Sequence, residues 1–482
     1  MNPVQRLFSN TVLAFAGPAL MRVSAAVLFV FISRQLGPED AGIYTLGVTY
    51  YTIIVALSTF GLHELLVREV APRRNESGRY LTNYLLIRLL VTGLLYAGLL
   101  ILLRYVLPYS EEAKIVISIM ALGAFAEAIF GLCHSLFAAN ERFVVPTVGA
   151  LINSVVALGV GYWLLMAKGS IVNVAWFRPI ADTAGILVFP FALVRLFRQI
   201  PQTARTRPNW SFIRTQLRYT PGFILIGVFS ILNYQVDTFI ISLLLTEADL
   251  GYYGVAQTLV TAFLLIPAAI RITLYPIMAR YRQEDEKQLF QIYRKSGQYL
   301  LMLGLPIVVG ITLLAEPIIL LIFGSDFLPA VPVLQIMIWE VVVIVLSVPV
   351  ARMLLVYNYQ STAGWMRGFI MLVSVVLNLS LIPLLGIVGA AITRVLAASL
   401  FFVIIYLFVQ MKILHGKRIQ LHPGLIMATL IMALVVWQMR DLPLYIPVIV
   451  GAVVYGAAIF MLGVFSTEDR YYLRQLFEAR RS

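Results

Sequence analysis

The fold class this sequence predicts is an all-α polytopic membrane protein of about fourteen transmembrane helices, and three observations predict it. Of 482 residues, 61% are hydrophobic and 12% charged, where a soluble domain has roughly half and about a quarter. The apolar residues fall in runs of about 20, the length an α-helix needs to cross a hydrocarbon core roughly 30 Å thick. The 36 Lys and Arg outnumber the 23 Asp and Glu, for a net charge of +13. They mostly flank the apolar runs, as topology signals do, so the excess gives no reason to invoke a nucleic-acid partner.

Reading apolar runs against charged and Gly/Pro breaks predicts helices over 11–33, 41–62, 81–103, 115–138, 143–166, 170–194, 220–245, 250–277, 298–320, 329–354, 364–384, 386–409, 423–439 and 444–464. The first run is too long for a signal-peptide core and lacks a small-residue cleavage pattern, so it is expected as a retained span. An even number of spans puts both termini on one side. With that side cytoplasmic, 24 basic residues fall in cytoplasmic segments, and only Arg34, Arg104, Lys114, Lys168 and Arg440 lie opposite. The positive-inside rule therefore expects cytoplasmic termini in the inner (cytoplasmic) membrane. A single cysteine, Cys133, excludes an intrachain disulfide and a cysteine metal cluster.

An internal repeat organises these spans. LGPEDAGIYTLG from Leu36 returns as LTEADLGYYGVA from Leu245, an offset of 209 that aligns Asp40, Gly42 and Tyr44 with Asp249, Gly251 and Tyr253. The sixth and twelfth spans align at an offset of 216, superposing Arg178 on Arg394. Two like bundles of six helices in the same orientation follow, related by an axis along the membrane normal. The expected division is an N-lobe over 1–199, a basic cytoplasmic linker over 200–219, a C-lobe over 220–412 and an appended pair, helices 13 and 14, over 413–465. A cytoplasmic amphipathic tail over 466–482 sets Tyr472, Leu473, Leu476 and Phe477 against Arg470, Arg474, Arg480 and Arg481. The linker reads first as a solvated topology signal and second as a lipid-headgroup surface.

Some chemistry is missing. No G-x-x-x-x-G-K-S/T loop occurs, so ATP binding by a P-loop is excluded. The four histidines, His63, His134, His415 and His422, form neither H-E-x-x-H nor a spaced pair with a carboxylate, so neither a metal site nor a cofactor is expected. His63-Glu64 reads as an interfacial polar pair. Glu39 and Asp40, in a short external loop, raise the question of an enzyme acting on lipid-linked sugars. Because Asp40 has a repeat partner in Asp249, helix capping is the preferred reading.

Seven arginines lie within spans, Arg22, Arg88, Arg178, Arg271, Arg352, Arg367 and Arg394, against four acids, Glu127, Asp182, Asp237 and Glu340. Intramembrane charge is expensive and implies function or a partner. Arg22 lies mid-span, one turn after Gly17-Pro18, where a kinked helix beside a buried cation would suit a substrate site. Arg88 and Arg271 lie about a turn or two inside helix ends, where snorkelling competes with a headgroup role. Arg178 and Asp182, four residues apart on one helix, are expected to neutralise each other as a structural pair. Arg394 lines a cavity or glues the bundle, and Asp237, Glu340 and Glu127 are candidates for ion coupling or for salt bridges. A cavity with surplus guanidinium suits a phosphate or pyrophosphate headgroup, which Arg binds in bidentate fashion.

ISRQLGPEDAGIYTLG (Ile32 to Gly47), STFGLHELLVREVA (Ser58 to Ala71) and LNLSLIPLLGIVGAAITRV (Leu377 to Val395) resemble the polysaccharide-export (Wzx-like oligosaccharide flippase) branch of the multidrug/oligosaccharidyl-lipid/polysaccharide exporter superfamily. The resemblance covers helices 1 to 12 and is family-level in specificity. It implies two MATE-like six-helix lobes around a V-shaped cavity, alternating access, and movement of a polyprenyl-pyrophosphate-linked oligosaccharide from the cytoplasmic to the outer leaflet. It also implies no catalysis, with membrane lipids and a polysaccharide polymerase or glycosyltransferases as partners. By matching helix, Arg22 and Arg271 are carried over as headgroup contacts, with Arg88 behind them. Drug exporters of the superfamily carry an acid in helix 1, which this chain lacks. A cation-coupled multidrug or small-molecule exporter is therefore the alternative.

Overall fold

The computed structural model describes residues 3–59, 61–200, 207–217, 221–414 and 422–464. The expected amphipathic tail, part of the linker and the loop around Lys417 and Arg418 lie outside them. No strand occurs among the described residues. The chain runs through α1 (Pro3–Thr59), α2 (Leu62–Val70), α3 (Ser77–Tyr105), α4 (Glu111–Ala139), α5 (Val144–Lys168), α6 (Ile171–Ala175), α7 (Phe177–Ile186), α8 (Phe189–Gln199), α9 (Trp210–Leu217), α10 (Pro221–Leu244) and α11 (Glu247–Phe263). It continues through α12 (Leu265–Glu284), α13 (Glu286–Leu313), α14 (Ala315–Ile322), α15 (Ala330–Met337), α16 (Trp339–Val356), α17 (Gln360–Leu385), α18 (Ile387–Val409), α19 (Pro423–Gln438) and α20 (Tyr445–Met461). Among the described residues, nine helical stretches are long and apolar enough to cross a membrane, and α19 and α20 are shorter apolar helices.

The longest stretch, Ala16–Thr59, has 44 residues, about 66 Å at the α-helical rise and roughly twice a hydrocarbon core. It is broken at Gly37, whose φ of 87° and ψ of −173° leave the helical region for one that glycine adopts without steric cost. The two arms stand where two helices, 11–33 and 41–62, are expected. The break does not fall where Gly17-Pro18 suggested: backbone dihedrals stay helical through Pro18. Near that proline, the Thr147 hydroxyl donates to the Leu13 carbonyl (3.0 Å). The expected helix over 170–194 corresponds to one apolar stretch, Ile171–Gln199, made of the consecutive pieces α6 to α8, with Pro190 at the start of α8, where its missing N–H is harmless.

By packing, the chain divides into two compact units, Met1–Ala262 with Gly364–Thr393 and Phe263–Ala363 with Arg394–Ser482. Within the first unit α10 packs along α1. In the first unit α1 and α7 both pack on α4 and α5, and α2 packs on α4. Leu65, Leu66, Phe137 and Phe189 fill the core there. In the second, α13 packs against α16 and α19, and α19 against α20. Its core includes Leu301, Ala428 and Met432, and the Tyr455 hydroxyl donates to the Met302 carbonyl (2.7 Å).

Inside the first unit the sequence repeat becomes a physical contact. A Cβ on Gly42 would fall on the Glu247 carbonyl, and one on Gly251 would fall on the Pro38 carbonyl. The offset that relates Gly42 to Gly251 also relates Pro38 to Glu247, so the two copies meet symmetrically, backbone to backbone, as small residues allow. The acid of the second copy caps its helix. Asp249 accepts from the Thr246 amide (3.2 Å) and hydroxyl (2.7 Å), and the Asp249 amide donates back to the Thr246 hydroxyl (3.2 Å). The third family-like segment is also architectural. Gly386, at φ 60°, makes the turn from α17 to α18, and a Cβ on Gly389 would fall on the Leu381 carbonyl.

Candidate functional site: embedded charges and their partners

Arg178 and Asp182 lie one turn apart on α7, and Arg178 Nε donates to Asp182 Oδ2 at 3.0 Å. Asp182, 2% exposed, also accepts from Asn153 Nδ2 on α5 (2.8 Å). Arg178 Nη2 donates to the Tyr51 hydroxyl of α1 (2.6 Å), and its guanidinium stands 4.0 Å from the Tyr51 ring centroid. The cluster sits flush on α4, where a Cβ at Gly123 would lie 2.6 Å from Asp182 Oδ2. With the charges paired and their lone pairs occupied, the desolvation cost of embedding them is offset locally.

Two turns further along the same face of α4, Gly131 makes room for a second cluster. Arg88 of α3 is fully buried. Its Nη1 lies 2.7 Å from His63 Nε2 and donates to the Ala128 carbonyl (3.0 Å), and its Nη2 donates to the Thr59 hydroxyl (3.2 Å). The interfacial pairing expected for His63 and Glu64 is thus replaced, for His63, by an arginine brought over from α3. Glu127, midway between Gly123 and Gly131, lies within electrostatic reach of Arg88, Asp182 and Arg178.

A third cluster joins the two ends of the first unit's sequence. Asp237 of α10 accepts from Asn378 Nδ2 of α17 (2.8 Å) and from the Tyr253 hydroxyl of α11 (2.9 Å). All three residues are buried, and the remaining amide oxygen of Asn378 has no hydrogen-bond partner. In the second unit Arg394 Nε donates to Glu340 Oε2 at 2.6 Å, and both side chains are buried.

The residues singled out in the sequence therefore end in different surroundings. Arg22 is exposed on α1 rather than buried beside a kink. The backbone of Arg271 lies in α12, and its side chain is outside the described residues. Arg88 is enclosed, and Arg394 meets Glu340, which joins a headgroup candidate to an ion-coupling candidate. Sequence reasoning did not select Tyr51, Asn153, Thr59, Tyr253 or Asn378. Three of these carried a signal: Thr59 stands in the Ser58 to Ala71 segment, Tyr253 belongs to the repeat, and Asn378 stands in the Leu377 to Val395 segment. Among the described residues no group of three or more His, Cys, Asp or Glu is arranged to hold a metal ion.

This arrangement is a scaffold of helices with buried, paired charges, as expected of a polytopic transporter. A family described as "Polysaccharide biosynthesis protein" matches residues 31–332, more than half of the chain. The chain belongs to that family. It is 22% identical over 368 residues to a probable low-salt glycan biosynthesis flippase, Agl15, of Haloferax volcanii, covering 76% of each chain. It is 23% identical over 463 residues to the lipid II flippase MurJ of Bacillus subtilis, covering 84% of this chain and 82% of that one. Its fold is similar to a solved structure of lipid II flippase MurJ in an inward closed conformation. The TM-score is 0.71 at 17% identity, over 95% of this chain and 98% of the other.

Proposed function

We propose that this protein is a flippase that carries a polyprenyl-(pyro)phosphate-linked oligosaccharide from the cytoplasmic to the outer leaflet for cell-surface polysaccharide synthesis. The observation that carries the reading is the family match over residues 31–332, joined to a surplus of arginine within apolar helices. In this reading the first twelve of fourteen spans form two six-helix lobes, 1–199 and 220–412, the last two are appended to them, and the termini lie in the cytoplasm. The lobes alternate in access, and the lipid tail stays in the bilayer. Arg22 is the leading headgroup contact, because it is exposed within an apolar helix and a guanidinium holds phosphate oxygens in pairs. Arg271 is its proposed companion. Arg88 and Arg394, held by His63 and Glu340, reach a headgroup only in a state that releases them. Asp237, Glu127 and Glu340 are the proposed ion-coupling carboxylates. No catalysis is assigned, and polymerase or glycosyltransferase partners belong to the same proposal.

A second reading, the cation-coupled exporter, draws on the buried Asp237, Tyr253 and Asn378 cluster, since an embedded carboxylate suits cation binding. One experiment separates the two. Transbilayer movement of a polyprenyl-pyrophosphate oligosaccharide is measured in proteoliposomes, with the native chain and Arg22→Ala, and with an ion gradient on or off. The flippase reading expects movement by the native chain and a loss of tenfold or more in Arg22→Ala. Movement unaltered by Arg22→Ala removes the role of that residue. No movement with any headgroup, alongside export of toxic cations, establishes the exporter.

A further inference from the structure

We propose that His63 is a proton-binding site, and that a proton on its imidazole transfers the Arg88 guanidinium from His63 to the carboxylate of Glu127. The proposal deepens the ion-coupling part of the flippase reading and rests on it for its biological purpose. A guanidinium has donors and no acceptor. With Arg88 Nη1 only 2.7 Å from His63 Nε2, that nitrogen must offer a lone pair, so His63 is neutral and carries its proton on Nδ1. A proton added to Nε2 sets two donors and two positive charges face to face, in a place where Arg88 has no solvent around it. The contact cannot survive protonation, and one partner must leave.

The surroundings decide which partner moves and where it goes. A Cβ on Gly131 would lie 2.6 Å from the His63 ring and 2.7 Å from Arg88 Nη1, so both groups lie flush against the α4 backbone and cannot move further toward it. Glu127 is one turn earlier on the same face of α4. Arg88 already donates to the carbonyl of Ala128, the next residue along, and its Nε is buried with no hydrogen-bond partner. A slide of about one turn along α4, roughly 5 Å, exchanges a neutral acceptor for a carboxylate, which binds guanidinium more strongly. The other titratable and charged groups around the pair are His134 on α4, Arg178 and Asp182 on α7 and Tyr51 on α1. Arg178 is already committed to Asp182 and Tyr51. The side chain of Glu64, beside His63, lies outside the described residues.

The switch has a mechanical consequence. Arg88 bonds Thr59, the last residue of α1, and His63, in the first turn of α2, so one guanidinium pins both sides of the joint between these helices to α3 and α4. Moving it to Glu127 frees that joint. Proton occupancy of His63 then biases the angle of α2, the type of local charge event that a two-state transporter can amplify.

Histidine-labelled full-length protein in nanodiscs tests this without any substrate. The chain has four histidines, and His63→Gln identifies the His63 signal by its loss. Ring-nitrogen NMR is recorded between pH 5 and 8 for the native chain, Glu127→Gln and Glu127→Asp. The expected result is a His63 imidazole that takes up a proton in the native chain, does so with at least tenfold lower affinity in Glu127→Gln, and recovers in Glu127→Asp. Titration identical in the native chain and folded Glu127→Gln, or a native His63 that never takes up a proton in this range, overturns the proposal. Glu127-dependent titration in a protein that moves no lipid-linked oligosaccharide upholds the proton site and rejects the flippase reading.

Discussion

Arg178 and Arg394 occupy the same position in the two sequence repeats, yet the protein neutralises them in different ways. Arg178 takes Asp182 from its own helix, one turn on, together with Tyr51 from α1 and the support of Asn153. At the offset of 216 the position of Asp182 becomes Ala398, so Arg394 has no acid at that place. It takes Glu340 instead, 54 residues earlier in sequence. Glu340 stands in the tenth expected helix and Glu127 in the fourth, which the repeat relates. Arg178 thus has an acid on its own helix and Glu127 lies within electrostatic reach of Arg88, whereas Arg394 takes an acid from another helix. The two arginines find their counter-charges in different places.

The largest effect that tests this difference is expected from Glu340→Ala. The Arg394 side chain is only 5% exposed, and removing its carboxylate should cost about 3–5 kcal/mol, as when one partner of a buried ion pair is deleted. Thermal unfolding in detergent reads the loss. Asp182→Ala should cost less, about 2–3 kcal/mol, because the Arg178 side chain is 19% exposed and keeps the Tyr51 hydroxyl. Equal losses would erase the distinction between the two repeats. Replacing both members of the second pair, Glu340→Leu with Arg394→Met, should return stability to within about 1 kcal/mol of native, since neither charge is left uncompensated. Tyr51→Phe should have the smallest effect, about 1 kcal/mol, because it removes one hydrogen bond and leaves the ring beneath Arg178. A loss there as large as that of Asp182→Ala would make Tyr51 the principal partner.

Part of the candidate site is legible in the amino-acid sequence. Arg178 and Asp182 are spaced by one helical turn, and a pair of that kind needs only helix geometry to be recognised. Asp249 is readable as a cap for the same reason: its partner, Thr246, is three residues away. Arg22 illustrates the opposite. Gly17-Pro18 points to a break and a buried cation, but the helix runs on through Pro18, the break falls at Gly37 and the arginine is exposed. A proline removes one hydrogen bond, and packing on neighbouring helices decides whether that becomes a bend.

The sequence alone determined the class of protein: membrane-spanning helices, their approximate order and a family. These follow from quantities that act over one helix, namely apolar length, flanking charge and short motifs. The tertiary structure alone decided the partners that embedded charges take from other helices. Arg88 with the carbonyl of Ala128, Asp237 with Asn378 and Arg394 with Glu340 lie 40, 141 and 54 residues apart. An embedded charge must find a partner because hydrocarbon offers no water, but which partner it finds depends on how helices pack side by side. That packing is set by small residues and surface shape over the whole bundle, and no single segment contains it.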